Sequence, residues 1–163
     1  MIVDHNHKYI FVSIPKTGSI SVQFSLGYGH DIPEPHLYHA GLQSIIEQHQ
    51  NSINYFKFAF VRNPWTRLLS LYNDFTINRI FQYSALVRHE KPLLSEFANF
   101  EDFCLRIHDS SWMNDIFFQS QVKLLSYNNN LFMDYVGRFE NLANDFNVIC
   151  EKIGLKNVVL LKM

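Results

Sequence analysis

Tyr9-Ile-Phe-Val-Ser-Ile-Pro-Lys-Thr-Gly-Ser-Ile-Ser-Val22 reads as an apolar strand that breaks into a short loop carrying a lysine and several hydroxyls, with a helix to follow. At such a junction the first N–H groups of the helix lack carbonyl partners and the helix dipole is positive. Gly18 lets the main chain come close to a bound anion, and Lys16 adds a full mobile charge. The triphosphate-binding pattern G-x-x-x-x-G-K-[ST] does not stand here, because Lys16 precedes Gly18 and no glycine lies upstream of it in the loop.

A second segment has the same form. Phe56-Lys-Phe-Ala-Phe-Val61 reads as a buried strand, and Arg62-Asn-Pro-Trp-Thr-Arg-Leu-Leu-Ser-Leu-Tyr72 as a turn into a helix, with Pro64 at a tolerated first-turn position. Arg62 therefore closes a strand, as Lys16 does. In open α/β sheets ligands bind beyond the carboxyl ends of the strands, so both cations are expected to line one crevice. Two cationic stations suit a ligand with two separated anionic groups.

The pair of segments resembles the carbohydrate sulfotransferase family, whose members use 3′-phosphoadenosine 5′-phosphosulfate (PAPS) and release PAP. In that family an I-P-K-T-G-G-T-S loop holds the 5′-phosphosulfate, and an Arg and a Ser in V-R-D-P-x-x-R-L-x-S-x-Y hold the 3′-phosphate. The resemblance places the first role on Lys16, Thr17, Gly18, Ser19, Ile20 and Ser21, and the second on Arg62 and Ser70. Val136-Gly-Arg-Phe-Glu-Asn-Leu142 is similar to the family's later strand-to-helix element containing F-E-x-L. Three positions depart from the pattern: Ser19 replaces the second glycine, Ile20 the usual threonine and Asn63 the usual aspartate. Asn63 keeps the turn and capping chemistry while dropping a charge. The implied fold is a three-layer α/β/α arrangement with a central, mostly parallel sheet, the P-loop NTPase-like sulfotransferase fold. It is expected as a single domain over residues 1–163, shortened at the C-terminus relative to the family.

The implied reaction moves a sulfuryl group from a phosphate oxygen to an acceptor hydroxyl. Positioning and charge stabilisation dominate such a transfer, and it requires no metal. Lys16 would stabilise charge on the leaving phosphate oxygen, with the Thr17, Ser19 and Ser21 hydroxyls and the loop amides fixing the donor. The acceptor proton needs a base, and the family often has a helix-leading histidine about twenty residues after its lysine loop. His39 fits that position best, with His36 beside it. Glu140 is a second candidate base or an orienting carboxylate, and Gln119 resembles an acceptor-side polar residue. Arg67 is read as a brace for a neighbouring carboxylate, and Trp65 as a core residue rather than an adenine platform. The acceptor class is an oligosaccharide or polysaccharide.

Composition limits the alternatives. The 163 residues are 47% hydrophobic and 15% aromatic, with fifteen Phe, which is the make-up of an ordered globule. A formal net charge of −1 offers no overall attraction to nucleic acid or to an anionic membrane, so any anion site is local. Cys104 and Cys150 stand apart, without a C-x-x-C pairing, and read as buried or semi-buried free thiols. No apolar signal region and no membrane-length run is seen, which favours a cytoplasmic protein of bacterial or viral type, or an excised catalytic portion. An ATP-dependent P-loop-like kinase is the rival enzyme, weakened by the order of Lys16 and Gly18. A non-catalytic PAP-binding module is the rival of another class.

The expected elements are strands over 8–14, 55–61, 132–137 and 158–161. Helices are expected over about 18–27, 39–49, 64–80, 100–109, 112–125 and 141–153. Asn99 is expected to cap one helix, Gly154 to stop another, and Asn128-Asn129-Asn130 to turn the chain. A loop over 84–98 is expected beside the acceptor.

Overall fold

The computed structural model describes residues 1–29, 39–76 and 97–161. In chain order it contains β1 (Ile2–Asp4), β2 (Tyr9–Val12), α1 (Ser19–Ser25), α2 (Leu42–Gln48), β3 (Phe56–Val61), α3 (Pro64–Thr76) and α4 (Phe100–Arg106). There follow α5 (Gln121–Leu124), β4 (Ser126–Tyr127), β5 (Asn130–Leu131), β6 (Tyr135–Arg138) and α6 (Leu142–Lys152). Two compact units are formed, one from residues 1–62 with 120–163 and one from residues 63–119.

The first unit holds a four-stranded sheet in the order β1-β2-β3-β6, with β1 antiparallel to β2 and the other neighbours parallel. This is the mixed α/β class with a mostly parallel sheet that the sequence implies. All four residues of β2 are buried, as expected of a strand covered on both faces. Register sets Phe11 opposite Phe58 and Val12 opposite Ala59. The Phe11 and Phe58 rings stack with centroids 5.1 Å apart, and Val22, Phe60, Phe146 and Ile149 complete that core. Gly137 lies opposite Phe60, where a Cβ would stand 2.6 Å from the ring, so the β3–β6 contact needs glycine there.

β1 was not expected. It is only three residues long and depends on a tight return, in which the Asp4 carboxylate accepts from the Asn6 and His7 amides, both at 2.8 Å. Asn128 and Asn129 both adopt positive φ, 48° and 62°, and join β4 to β5 as the expected turn. α6 stops where expected: Gly154 has φ 75° and the Leu155 amide donates to the Cys150 carbonyl at 2.9 Å.

Two expectations fail. The strand over 158–161 is absent. Val158 and Leu160 pack on the core, so the alternation reflects burial without a ladder, and the Leu161 amide donates to Ser25 Oγ at 2.7 Å. The single helix over 112–125 is instead a 3-10 turn at Ser111–Asn114 and the separate short helix α5. Local side-chain caps break it: Asp115 Oδ1 accepts from the Phe117 amide at 2.9 Å and Ser120 Oγ from the Lys123 amide at 3.2 Å.

The second unit packs Leu71, Phe97, Phe103, Ile107, Trp112 and Phe118 together. Asn99 caps α4 as expected, accepting from the Asp102 amide at 2.9 Å. Asn63 opens α3 in the same way, its Oδ1 accepting from the Trp65 amide at 3.0 Å. The expected loop over 84–98 and the end of the helix over 64–80 lie largely or wholly outside the described residues.

Candidate active site

Lys16 and Arg62 follow the carboxyl ends of the neighbouring parallel strands β2 and β3. Arg62 Nη1 donates to the Lys16 carbonyl at 3.3 Å, so the two cationic residues meet at one edge of the sheet. The Arg62 guanidinium also lies over the Phe139 ring, 4.2 Å from its centre. Its backbone is clasped by one side chain that sequence reasoning passed over. Gln121 Oε1 accepts from the Arg62 amide at 2.9 Å, and Gln121 Nε2 donates to the Arg62 carbonyl at 2.8 Å.

The loop itself is tightly built. Thr17 is 1% exposed and its hydroxyl donates to the Ile14 carbonyl at 2.9 Å, so this hydroxyl closes the turn instead of facing a donor, contrary to expectation. Lys16 has φ 67° and Gly18 φ 80°, two left-handed residues separated by Thr17. A Cβ on Gly18 would stand 2.8 Å from Leu142 Cδ2 and 3.3 Å from the Phe139 ring, so the F-E-N-L element backs the loop directly. In α1 the first helical bond runs from the Val22 amide to the Gly18 carbonyl at 3.1 Å, which leaves the Ser19, Ile20 and Ser21 amides ahead of any helical acceptor. Ser19 is buried, Ser21 half-buried and Ile20 49% exposed.

His39 sits on the same unit. Its Nδ1 is 3.0 Å from the Ser13 carbonyl oxygen. A carbonyl only accepts, so Nδ1 carries the proton and the neutral ring keeps its lone pair on Nε2. The Phe139–Leu142 turn is braced by Asp145, whose carboxylate accepts from the Arg138 amide at 2.6 Å and from Asn141 Nδ2 at 2.9 Å. Glu140 is exposed in that turn.

Ser70, Gln119, Arg67 and Trp65 belong to the second unit. Ser70 is half-buried on α3 in the second unit. There Gln119 Nε2 donates to the Met113 carbonyl at 2.9 Å. Arg67 is buried and donates to the carbonyls of Phe117 at 2.7 Å and Gln119 at 3.3 Å, so its brace reaches main-chain acceptors. Burial pushes its pKa down to about 10, which leaves it charged at neutral pH. Trp65 is 77% exposed, against the expectation of a core residue. Cys104 is exposed and Cys150 buried, both as free thiols, which corrects the buried reading of Cys104. His36 lies outside the described residues.

Among the described residues no cluster of three or more His, Cys, Asp or Glu side chains is arranged to hold a metal ion, and no helix is long and apolar enough to cross a membrane. A strand, the Lys16 loop and a helix stand beside Arg62 on a mostly parallel sheet, which defines a mixed α/β protein. The family model described as "Sulfotransferase family" matches residues 1–162, and the chain belongs to that family. No match is found among curated proteins or among solved structures.

Proposed function

We propose that the chain is a PAPS-dependent sulfotransferase that moves a sulfuryl group to a hydroxyl of a carbohydrate acceptor, on a P-loop-like three-layer scaffold. The observation that carries this reading is the 3.3 Å bond from Arg62 to the Lys16 carbonyl, which brings both cationic strand ends to one loop in a chain of the sulfotransferase family. The donor set fits a phosphosulfate: one ammonium, one guanidinium, and the three leading amides of α1, with no carboxylate in the loop.

The donor supplies the sulfuryl group already attached to a good leaving phosphate. Lys16 neutralises charge at that phosphate, and the Ser19, Ile20 and Ser21 amides with the Ser19 and Ser21 hydroxyls orient it. Arg62 grips the 3′-phosphate, the role that the resemblance also gives to Ser70. His39 Nε2 takes the acceptor proton as the acceptor oxygen bonds to sulfur. Thr17 and Gly18 shape the loop, and His36, Gln119 and Glu140 belong to the acceptor side.

A PAP-binding module without turnover is favoured by one observation: Ile20 is 49% exposed where the resembled loop carries a hydroxyl. The experiment combines thermal shift and turnover. PAP, and not ATP, is expected to raise the melting midpoint, and PAPS with a glycan panel is expected to yield PAP and sulfated glycan. Stabilisation by ATP alone supports a kinase, and PAP binding without glycan sulfation supports the module.

A further inference from the structure

Arg62 stands at the point where β3 ends and the chain turns into α3. The last ladder pair of β3 is Val61 with Arg138, so the Arg62 backbone is one residue past the sheet register. At that position a single side chain takes over the work of a neighbouring strand. Gln121, 59 residues away in sequence, accepts from the Arg62 N–H at 2.9 Å and donates to the Arg62 C=O at 2.8 Å. A carboxamide presents one acceptor and one donor at that spacing. Gln121 is itself fixed at the start of α5, which Ser120 caps.

We propose that Gln121 is a positioning residue for Arg62: its amide clasp sets the main chain from which the guanidinium reaches the Lys16 carbonyl and the Phe139 ring. This rests on the proposed role of Arg62 in gripping the donor. With the main chain held, the guanidinium is aimed by two further contacts at its far end, 3.3 Å to the Lys16 carbonyl and 4.2 Å to the ring centre. Without the clasp those contacts must hold a residue whose N–H and C=O have lost the two Gln121 bonds. The neighbouring Gln119, two residues earlier, donates through Nε2 to the Met113 carbonyl at 2.9 Å.

The test uses Gln121→Ala and the shape-preserving Gln121→Met, each alone and combined with Arg62→Ala. Calorimetric titration with PAP is paired with NMR relaxation of the Arg62 Nε–H group in the ligand-free protein, and with melting midpoints to confirm folding. Each Gln121 variant is expected to weaken PAP binding roughly tenfold and to loosen the Arg62 Nε–H. In the Arg62→Ala background the same change is expected to add no further loss, because its effect passes through Arg62. An equal loss in both backgrounds, or an Arg62 side chain as ordered as before in a folded Gln121 variant, overturns the proposal. If the unaltered protein does not bind PAP, the proposed donor falls, and the ligand-free relaxation measurement still decides whether Gln121 fixes Arg62.

Discussion

The Arg62 guanidinium rests on the face of Phe139, 4.2 Å from the ring centre, and the same ring stands 3.3 Å from where a Cβ on Gly18 would be. One aromatic side chain of the F-E-N-L turn thus backs both the cation and the glycine of the anion loop. Replacing it by leucine keeps apolar contact with Gly18 and removes the π face, a contribution of about 0.5–2 kcal/mol to a held cation. Phe139→Leu is expected to weaken PAP binding several-fold with little change in melting midpoint. Unchanged affinity by calorimetry would show that the ring does not aim Arg62.

Lys16 adopts φ 67°, a conformation that costs a residue with a Cβ about 1–2 kcal/mol. Strain at the residue carrying the charge separates stability from function. Lys16→Ala keeps the strain and loses the ammonium, so turnover is expected to fall at least a hundredfold with the fold intact. Lys16→Gly is expected to be equally inactive and more stable than Lys16→Ala by up to about 1 kcal/mol, the greater freedom of glycine in the unfolded chain offsetting part of the relief. Chemical denaturation of the two variants side by side checks the order. A less stable glycine variant would contradict the conformational reading, and full turnover in either would remove Lys16 from the chemistry.

His39 holds its Nδ1 proton on the Ser13 carbonyl at 3.0 Å, which assigns the lone pair to Nε2. His39→Ala is expected to lower kcat by roughly 10²–10⁴-fold. A variant that turns over as fast as the unaltered enzyme would assign the base elsewhere, with Glu140 the next to test.

The parts of this site that could be read in the sequence are those whose geometry is local. A strand, a loop and a helix in succession place Lys16, Gly18 and Ser19 within a few residues of one another, and Asn63-Pro64 marks the start of α3 just as directly. Gln121 gave no such signal, because its partner is 59 residues away and is main chain, to which any residue type contributes the same N–H and C=O. Thr17 was misread for a related reason: a hydroxyl in a phosphate-type loop resembles a ligand-holding group, yet the Ile14 carbonyl three residues back is nearer and claims it. Trp65 has the size of a core residue but lies at the exposed start of a helix. The helix expected over 112–125 failed where Asp115 and Ser120 compete for main-chain amides.

Asp4 ties the first strand to the fold by accepting from two amides and from the Tyr28 hydroxyl at 2.9 Å. Burial alone would raise its pKa, and the hydrogen bonds from the His7 amide, Tyr28, the His7 ring and the Asn6 amide outweigh that and hold it below the ordinary carboxylate value. A carboxylate with a depressed folded pKa stabilises the fold at pH values above its unfolded pKa, and that stabilisation is lost as pH falls through the folded value. Asp4→Asn is therefore expected to be less stable than the unaltered chain at neutral pH, with the gap closing as acid protonates Asp4. A gap that stays constant from neutral to strongly acidic pH, measured by urea unfolding, would show that the Asp4 charge is not what the turn requires.

The most direct measurement is a crystal structure with PAP bound. The expected result is the 5′-phosphate on the Ser19, Ile20 and Ser21 amides within reach of the Lys16 ammonium, and the 3′-phosphate on Arg62. PAP bound at another face of the molecule, or either phosphate out of reach of both Lys16 and Arg62, would contradict the assignment of this loop as the sulfuryl-donor site.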